Sequence, residues 1–174
     1  MKTKIKEGSL LHSDDTVYDY VDSFDYVIAD PEDKIDILDV AEAFKKPGPK
    51  WVARLFTLRN RIVSVFGLKT PAMIEKKDDG ENKWEIGSQS GIFKVFGRTD
   101  REMLLGEDDK HLDVRVSLFL EQNGPGEKRI TVTTAVKLNN RLGRCYFFVI
   151  KPFHCTIVPA MMKQNFRQLA SKPK

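Results

Sequence analysis

The chain is poor in the side chains that carry most metal and nucleophilic chemistry. It has three histidines (His12, His111 and His154) and two cysteines (Cys145 and Cys155). A multi-histidine metal centre would need all three histidines or borrowed carboxylates, so no metal site is expected. The cysteines stand ten apart in a segment with helical periodicity, about 15 Å along a helix axis. A disulfide needs Cα atoms within about 7 Å. They read as two free thiols, small apolar filler inside the fold, in a reducing cytoplasm. There is no Walker loop, no Gly-x-Gly-x-x-Gly after a strand, no Cys-x-x-Cys and no Gly-x-Ser-x-Gly elbow. Cofactor-dependent chemistry therefore has no support, and no cofactor is expected. Long apolar runs are missing too. The longest, Tyr146 to Ile150, is cut by Lys151, where a membrane span needs about 20 residues. The basic opening Met1-Lys-Thr-Lys-Ile-Lys leads to Asp14-Asp15 without an apolar stretch, so no secretory signal is expected.

Acids are absent from Lys128 onward, while ten Lys and Arg residues lie there. Between Ser9 and Glu42 the balance reverses, with eleven acids and one base, Lys34. The net charge is only +4. The bland account is that the two ends pack near each other and compensate. The alternative is a basic face for nucleic acid or anionic lipid. The basic residues lack the aromatic-plus-basic motifs of nucleic-acid modules, so no nucleic-acid partner is expected.

What is present is a chain of 174 residues, 41% hydrophobic and 31% charged, long enough for one real core. Residues 1 to about 15 read as a polar lead-in, and 16–170 as one domain without repeats or linkers. Tyr18 to Ile28 alternates as a first strand. A helix opens at Asp30-Pro31 or Asp36, with Ile37, Val40, Ala41 and Phe44 on one face. Asp36 and Asp39 resemble a capping pair. Pro47-Gly48-Pro49 stops that helix, and a second starts at Pro49, with a stripe of Trp51, Leu55, Leu58, Ile62 and Phe66 before Gly67. Strands follow over Lys69–Lys76, Lys83–Gly87, Gly91–Gly97 and Arg101–Glu107. The two best are His111–Leu120 and Ile130–Leu138, joined through Asn123-Gly-Pro-Gly-Glu127 as a hairpin. In these two the Val/Leu/Ile face should point inward, and the Asp/Arg/Thr face outward.

From Asn139 the period becomes helical again. Phe147, Ile150, His154, Ile157 and Met161 recur on one stripe, and Val158, Met162, Phe166 and Leu169 on another. A helix apolar on more than half its circumference should be buried. Pro152 within it frees the carbonyl of Phe148, for which Arg59 or Asn60 could supply a donor. The expected fold is α+β: a curved antiparallel β-sheet wrapped around a long C-terminal α-helix, with two short helices after the first strand.

Several stretches sharpen that expectation. Tyr20-Val-Asp22-Ser-Phe24, Leu58-Arg59-Asn60-Arg-Ile62-Val63, Phe66-Gly67-Leu68-Lys69-Thr70 and Gly106-Glu-Asp-Asp109-Lys110-His111-Leu112-Asp113-Val-Arg115-Val-Ser117 are four of them. Asn139-Asn140-Arg-Leu142-Gly143-Arg-Cys-Tyr146 and Ile150-Lys151-Pro152-Phe153-His154 complete the set. Together they resemble a bacterial family of unknown function. That family is grouped with the START and birch-pollen-allergen-like (SRPBCC, helix-grip) proteins. The resemblance runs from about residue 18 to 165. It implies a cavity between sheet and helix for an apolar or amphipathic small molecule; members of the wider group include cyclases, hydrolases and lipid carriers.

Site candidates follow from these readings. The pocket walls would be Val114, Val116, Leu118, Val132 and Val136 from the strands, with Phe147, Ile150, His154, Ile157 and Met161 from the helix. An acid–base enzyme would use His111 oriented by Asp113, or His154. The bland readings are a charged strand face, with Asp113 paired to Arg115 or Lys137, and a satisfied core histidine at 154. A third function class is an interaction module, either a homodimer or a protein held to anionic lipid by the basic C-terminal segment.

Overall fold

The computed structural model describes residues 5–12, 16–54, 57, 84–91 and 93–170. Most of the second helix, the Lys69–Lys76 strand, the turn at Asp78-Asp79-Gly80, and Arg59 and Asn60 as partners for Phe148 lie outside them. Six strands form one antiparallel sheet: β1 (Tyr20–Ala29), β2 (Gln89–Ser90), β3 (Phe93–Arg98), β4 (Glu102–Asp108), β5 (Leu112–Gln122) and β6 (Glu127–Leu138). Their spatial order is β1-β6-β5-β4-β3-β2, so β1 is an edge. Among the described residues, α1 (Ile37–Lys45) and the long C-terminal α2 (Arg141–Ala170) lie on the concave side. The fold is the expected α+β arrangement, consistent with a helix grip. Residues 84–87, expected in a strand, instead form a turn ahead of β2.

Pleat parity sets the two faces. Phe24 lies opposite Val132 and Tyr26 opposite Ile130, while Leu118 and Leu120 pair with the same two β6 residues. Met103 and Leu105 of β4 continue the row against Leu118 and Val116. This inward face forms one core with Val40 and Ala41 of α1 and with Met162 and Phe166 of α2. Burying each large side chain contributes roughly 1.5–3 kcal/mol.

The start of α1 follows its sequence signals. Asp36 accepts from the Asp39 amide at 2.9 Å, and the Asp39 carboxylate accepts back from the Asp36 amide at 3.3 Å. The loop before it is held by Asp30, which accepts the amides of Lys34 (3.0 Å) and Ile35 (2.9 Å). Lys128 of β6 reaches Asp30 at 3.0 Å and Asp33 at 2.8 Å, and donates to the Ile35 carbonyl. Burial alone would push the Asp30 carboxyl up, but the Ile35 amide, the Lys128 ammonium and the Lys34 amide outweigh it and hold it below its ordinary value. Burial likewise opposes the charge on Lys128, and Asp33 and Asp30 outweigh it, so that ammonium titrates above its ordinary value.

The outward face differs from expectation. Ser117, Thr131 and Thr133 are buried there rather than solvated. Leu10–His12 form a 3-10 turn, and Leu11 packs with Leu104 and Ala135 beside Tyr18, Val21 and Phe96. The lead-in is therefore docked on the sheet. Its anchor is Glu102, a carboxylate 1% exposed. Glu102 accepts from Ser9 Oγ at 2.6 Å, from the Leu10 amide at 2.7 Å and from Ser117 Oγ.

The long helix also departs from expectation. Its C-terminal half is buried through Ile157, Met162, Asn165, Phe166 and Leu169, but in Arg141–Thr156 only Gly143 is buried. Phe148 is 82% exposed, and Cys145 and Cys155 are exposed rather than filling the interior. By length and apolarity α2 would pass for a membrane-crossing helix; its C-terminal half instead completes the core of this domain. α1 packs over β4 and β5, and α2 packs mainly on α1 and the β1 edge with a smaller contact to β6. Asn140 caps α2 by accepting the Gly143 amide at 2.9 Å. Any side chain at 143 would meet the His111 carbonyl, since a Cβ there would lie 2.0 Å from its oxygen. Pro152 and Pro159 lie within the helix and leave the Phe148 and Cys155 carbonyls without their helical donors.

Two outcomes test this account. Glu102→Ala leaves two hydroxyls and an amide without their buried acceptor. It should lower unfolding free energy in urea by about 2–3 kcal/mol and raise hydrogen exchange at residues 9–12. Asp30→Asn should destabilise by about 3–5 kcal/mol at neutral pH. In the parent protein the stability from Asp30 is present above the ordinary carboxyl value of about 3.9 and fades as pH falls through its depressed folded value. That from Lys128 is complete below about 10.4 and fades as pH rises through its raised folded value. Denaturation midpoints across pH should show both losses, and Asp30→Asn should flatten the acid limb.

Candidate functional site

The polar cluster with most chemical content lies where the exposed half of α2 crosses the edge strand. On β1 the positions 20, 22 and 24 share the concave face, because side chains alternate with period two. Two are aromatic and one is a carboxylate. On α2 the positions 147, 151, 154 and 158 recur at three- and four-residue steps and so share one stripe. Tyr20 and Phe147 meet with ring centroids 4.8 Å apart, and Phe24 meets His154 at 6.4 Å. The Lys151 ammonium lies 4.8 Å over the Tyr20 ring.

Asp22 is the hub. His154 Nε2 lies 3.1 Å from both its carboxylate oxygens. A carboxylate in such a contact is an acceptor only, so Nε2 carries the proton. The Tyr20 hydroxyl donates to Asp22 Oδ2 at 2.8 Å. The Cys155 thiol lies 3.7 Å from that hydroxyl and is left as the donor. The side chains of His154 and Asp22 keep 18% and 13% of their exposure, so the pair is sheltered yet reachable from solvent. Burial, then the bonds to Asp22 and Cys155, push the Tyr20 phenol far above its ordinary value. Among the described residues nothing hydrogen-bonds the other ring nitrogen of His154, Nδ1.

The other sequence candidates are distributed differently. His111 Nδ1 lies 3.1–3.3 Å from the Asn140 amide group at the start of α2. Asp113 accepts from Asn139 Nδ2 at 3.0 Å. Arg115 bonds Asp108 at 2.6 Å and stacks 3.6 Å from the Phe96 centroid. Each of the three thus serves a separate local contact. Val116, Leu118, Val132, Val136 and Ile157 are buried, while Val114, Phe147, Ile150, His154 and Met161 are half-buried. Met161 packs on the Pro-Gly-Pro corner, with Cγ 2.7 Å from where a Gly48 Cβ would stand.

Sequence reasoning passed over Asp22 and Tyr20 as site residues. The signal was there: a lone carboxylate between aromatics at i−2 and i+2 of a strand lies on the face meant for the core. Two open grooves, of about 530 and 420 Å³, lie elsewhere. One runs along Asp33, Arg101 and Lys128, the other between Trp51 and Arg167. Neither touches the cluster. Among the described residues no group of three or more His, Cys, Asp or Glu is placed to hold a metal ion.

The phenol gives a direct check. In a spectroscopic alkaline titration Tyr20 should stay protonated well beyond the ordinary tyrosine value of about 10. Asp22→Asn removes the charged acceptor and should bring that titration down. Tyr20→Phe should delete it from the profile.

No curated protein and no solved structure matches the chain. A family described as a protein of unknown function (DUF2867) matches residues 16–161. That match spans β1, α1, the rest of the sheet and α2 as far as Met161, and the chain belongs to this DUF2867 family of unknown function.

Proposed function

We propose that the protein binds a small apolar or amphipathic molecule at the seam between β1 and the N-terminal half of α2. One observation carries this reading. Half-buried Phe147 packs on Tyr20 and Phe24 on His154, and these two polar side chains both bond Asp22. Apolar walls with a few oriented polar groups are what ligand seats are made of. The deeper helix–sheet space is a poorer seat. Val116, Leu118 and Val132 there are at most 5% exposed and share one packed core with α1, Met162 and Phe166. The resemblance to START-like proteins supports a ligand between sheet and terminal helix, and the packed core beneath α1 favours the edge over the centre.

A second reading is a homodimer. The outer side of α2 presents Phe148 at 82% and Leu142 at 37% exposure, together with Cys145. Such a surface suits a second copy of the chain.

Native mass spectrometry of protein purified from its own host tests both. A mass above the chain by a small molecule, lost on denaturation and weakened by Phe147→Ala, is the expected result. A bare mass at the dimer would move the assignment to the second reading. A bare monomer would remove both.

A further inference from the structure

We propose that His154 is a general base oriented by Asp22, and that the seam takes a carbonyl-bearing amphipathic molecule whose carbon acid it deprotonates. The inference rests on the ligand seat proposed above and adds its chemistry. The geometry has three parts. Asp22 holds Nε2–H at 3.1 Å, which fixes the tautomer and leaves the Nδ1 lone pair as the basic site. The Asp22 carboxylate faces the imidazole and stabilises the imidazolium that forms when Nδ1 takes a proton. Lys151 stands one helical turn before His154 with its ammonium over the Tyr20 ring, placing a cation on the same stripe for a developing enolate oxygen. Among the described residues Asp22 of β1 faces His154 directly; Tyr20 bonds that carboxylate, and Lys151 and Cys155 of α2 lie against the Tyr20 ring and hydroxyl.

The step balances without a co-reactant. The C–H bond next to the carbonyl breaks and its proton moves to Nδ1. The bonding pair becomes the enolate double bond, and the carbonyl π pair moves to oxygen. Where the molecule carries a β,γ-double bond the enolate extends over it, and return of the proton to the γ carbon, with the double bond shifted into conjugation, completes an isomerisation.

A purely structural ion pair would pin α2 to β1 and do nothing to a carbon acid. Base-induced ring opening of nitrobenzisoxazole separates the two. In that probe a base takes the ring C–H proton, the C–H pair completes a nitrile, and the N–O bond breaks to give a coloured phenolate. With the full chain, the protein-dependent rate should rise with pH along one ionisation. His154→Gln should reduce it by about 100-fold or more, Asp22→Asn by about tenfold with a displaced pH profile, and His111→Gln not at all. Unchanged rates in His154→Gln would overturn the assignment, as would bound probe, detected by saturation-transfer NMR, without turnover.

A probe that does not bind counts against the seat, and the base is then read without it. Acylation of His154 by diethyl pyrocarbonate, mapped by peptide mass, reports the free Nδ1 lone pair. The expected result is modification of native His154 that slows several-fold in Asp22→Asn. Equal rates in both, with circular dichroism unchanged, would overturn the role of Asp22.

Discussion

A carboxylate on the concave face of an edge strand is the constraint from which the seam follows. Asp22 shares its face with Tyr20 and Phe24 and looks toward the helices rather than water. A charge so placed costs several kcal/mol unless it is paired and hydrogen-bonded. The chain meets that demand from both sides. Tyr20, two residues back on the same strand, donates its hydroxyl, and His154 donates Nε2–H across the gap. Inward charges on edge strands also discourage pairing with foreign strands. That role needs only the carboxylate, not a histidine bonded to it.

The second constraint is room. A concave sheet of six strands can hold one helix at its centre, and α1 takes that place over β4 and β5. Interiors pack to crystal-like density, so α2 cannot also lie there. It meets the core only through its last turns and rides along β1 with its first half. This displacement accounts together for the exposed thiols, the exposed Phe148 and the half-buried aromatics of the seam. The capping of α2 on the β4–β5 turn holds that course. Asn140 and the missing side chain at Gly143 let the helix start almost in contact with the His111 backbone.

Local signals carried much of the fold. The Asp36–Asp39 box, the Pro-Gly-Pro stop, the Asn123–Glu127 hairpin and the inward row of Val116, Leu118, Ile130 and Val132 were all legible, because each depends on neighbours or on pleat parity. Nonlocal competition was not. Periodicity gives α2 a broad apolar circumference but does not say that another helix occupies the centre first, so burial of Cys145 and Cys155 was wrongly expected. The outer face failed for a related reason. Ser117 and Thr133 look solvent-facing by type, yet they lie beneath a lead-in whose polar sequence hides one apolar anchor, Leu11, and whose acceptor, Glu102, is ninety residues away.

The site was half legible by the same logic. His154 stands out as a polar residue on an apolar stripe, and its rarity draws attention to it. Asp22 is hidden among eleven acids between Ser9 and Glu42, and composition reads them as one charged surface. Only parity separates it from Asp19 and Asp25, whose side chains bond the Leu138 amide and the Thr131 hydroxyl of β6. The acid-rich start and the C-terminal part of the chain meet at Lys128 and at His154. They meet through individual contacts with different work: Asp30 and Asp33 with Lys128 brace the entry to α1, and Asp22 with His154 joins the edge strand to the helix. In the first, Asp30 and Lys128 are nearly buried while Asp33 stays 70% exposed. The second is sheltered to a comparable degree, 18% and 13% exposed, yet it pairs a carboxylate with a side chain that need carry no charge, so the sum of charge does not describe it.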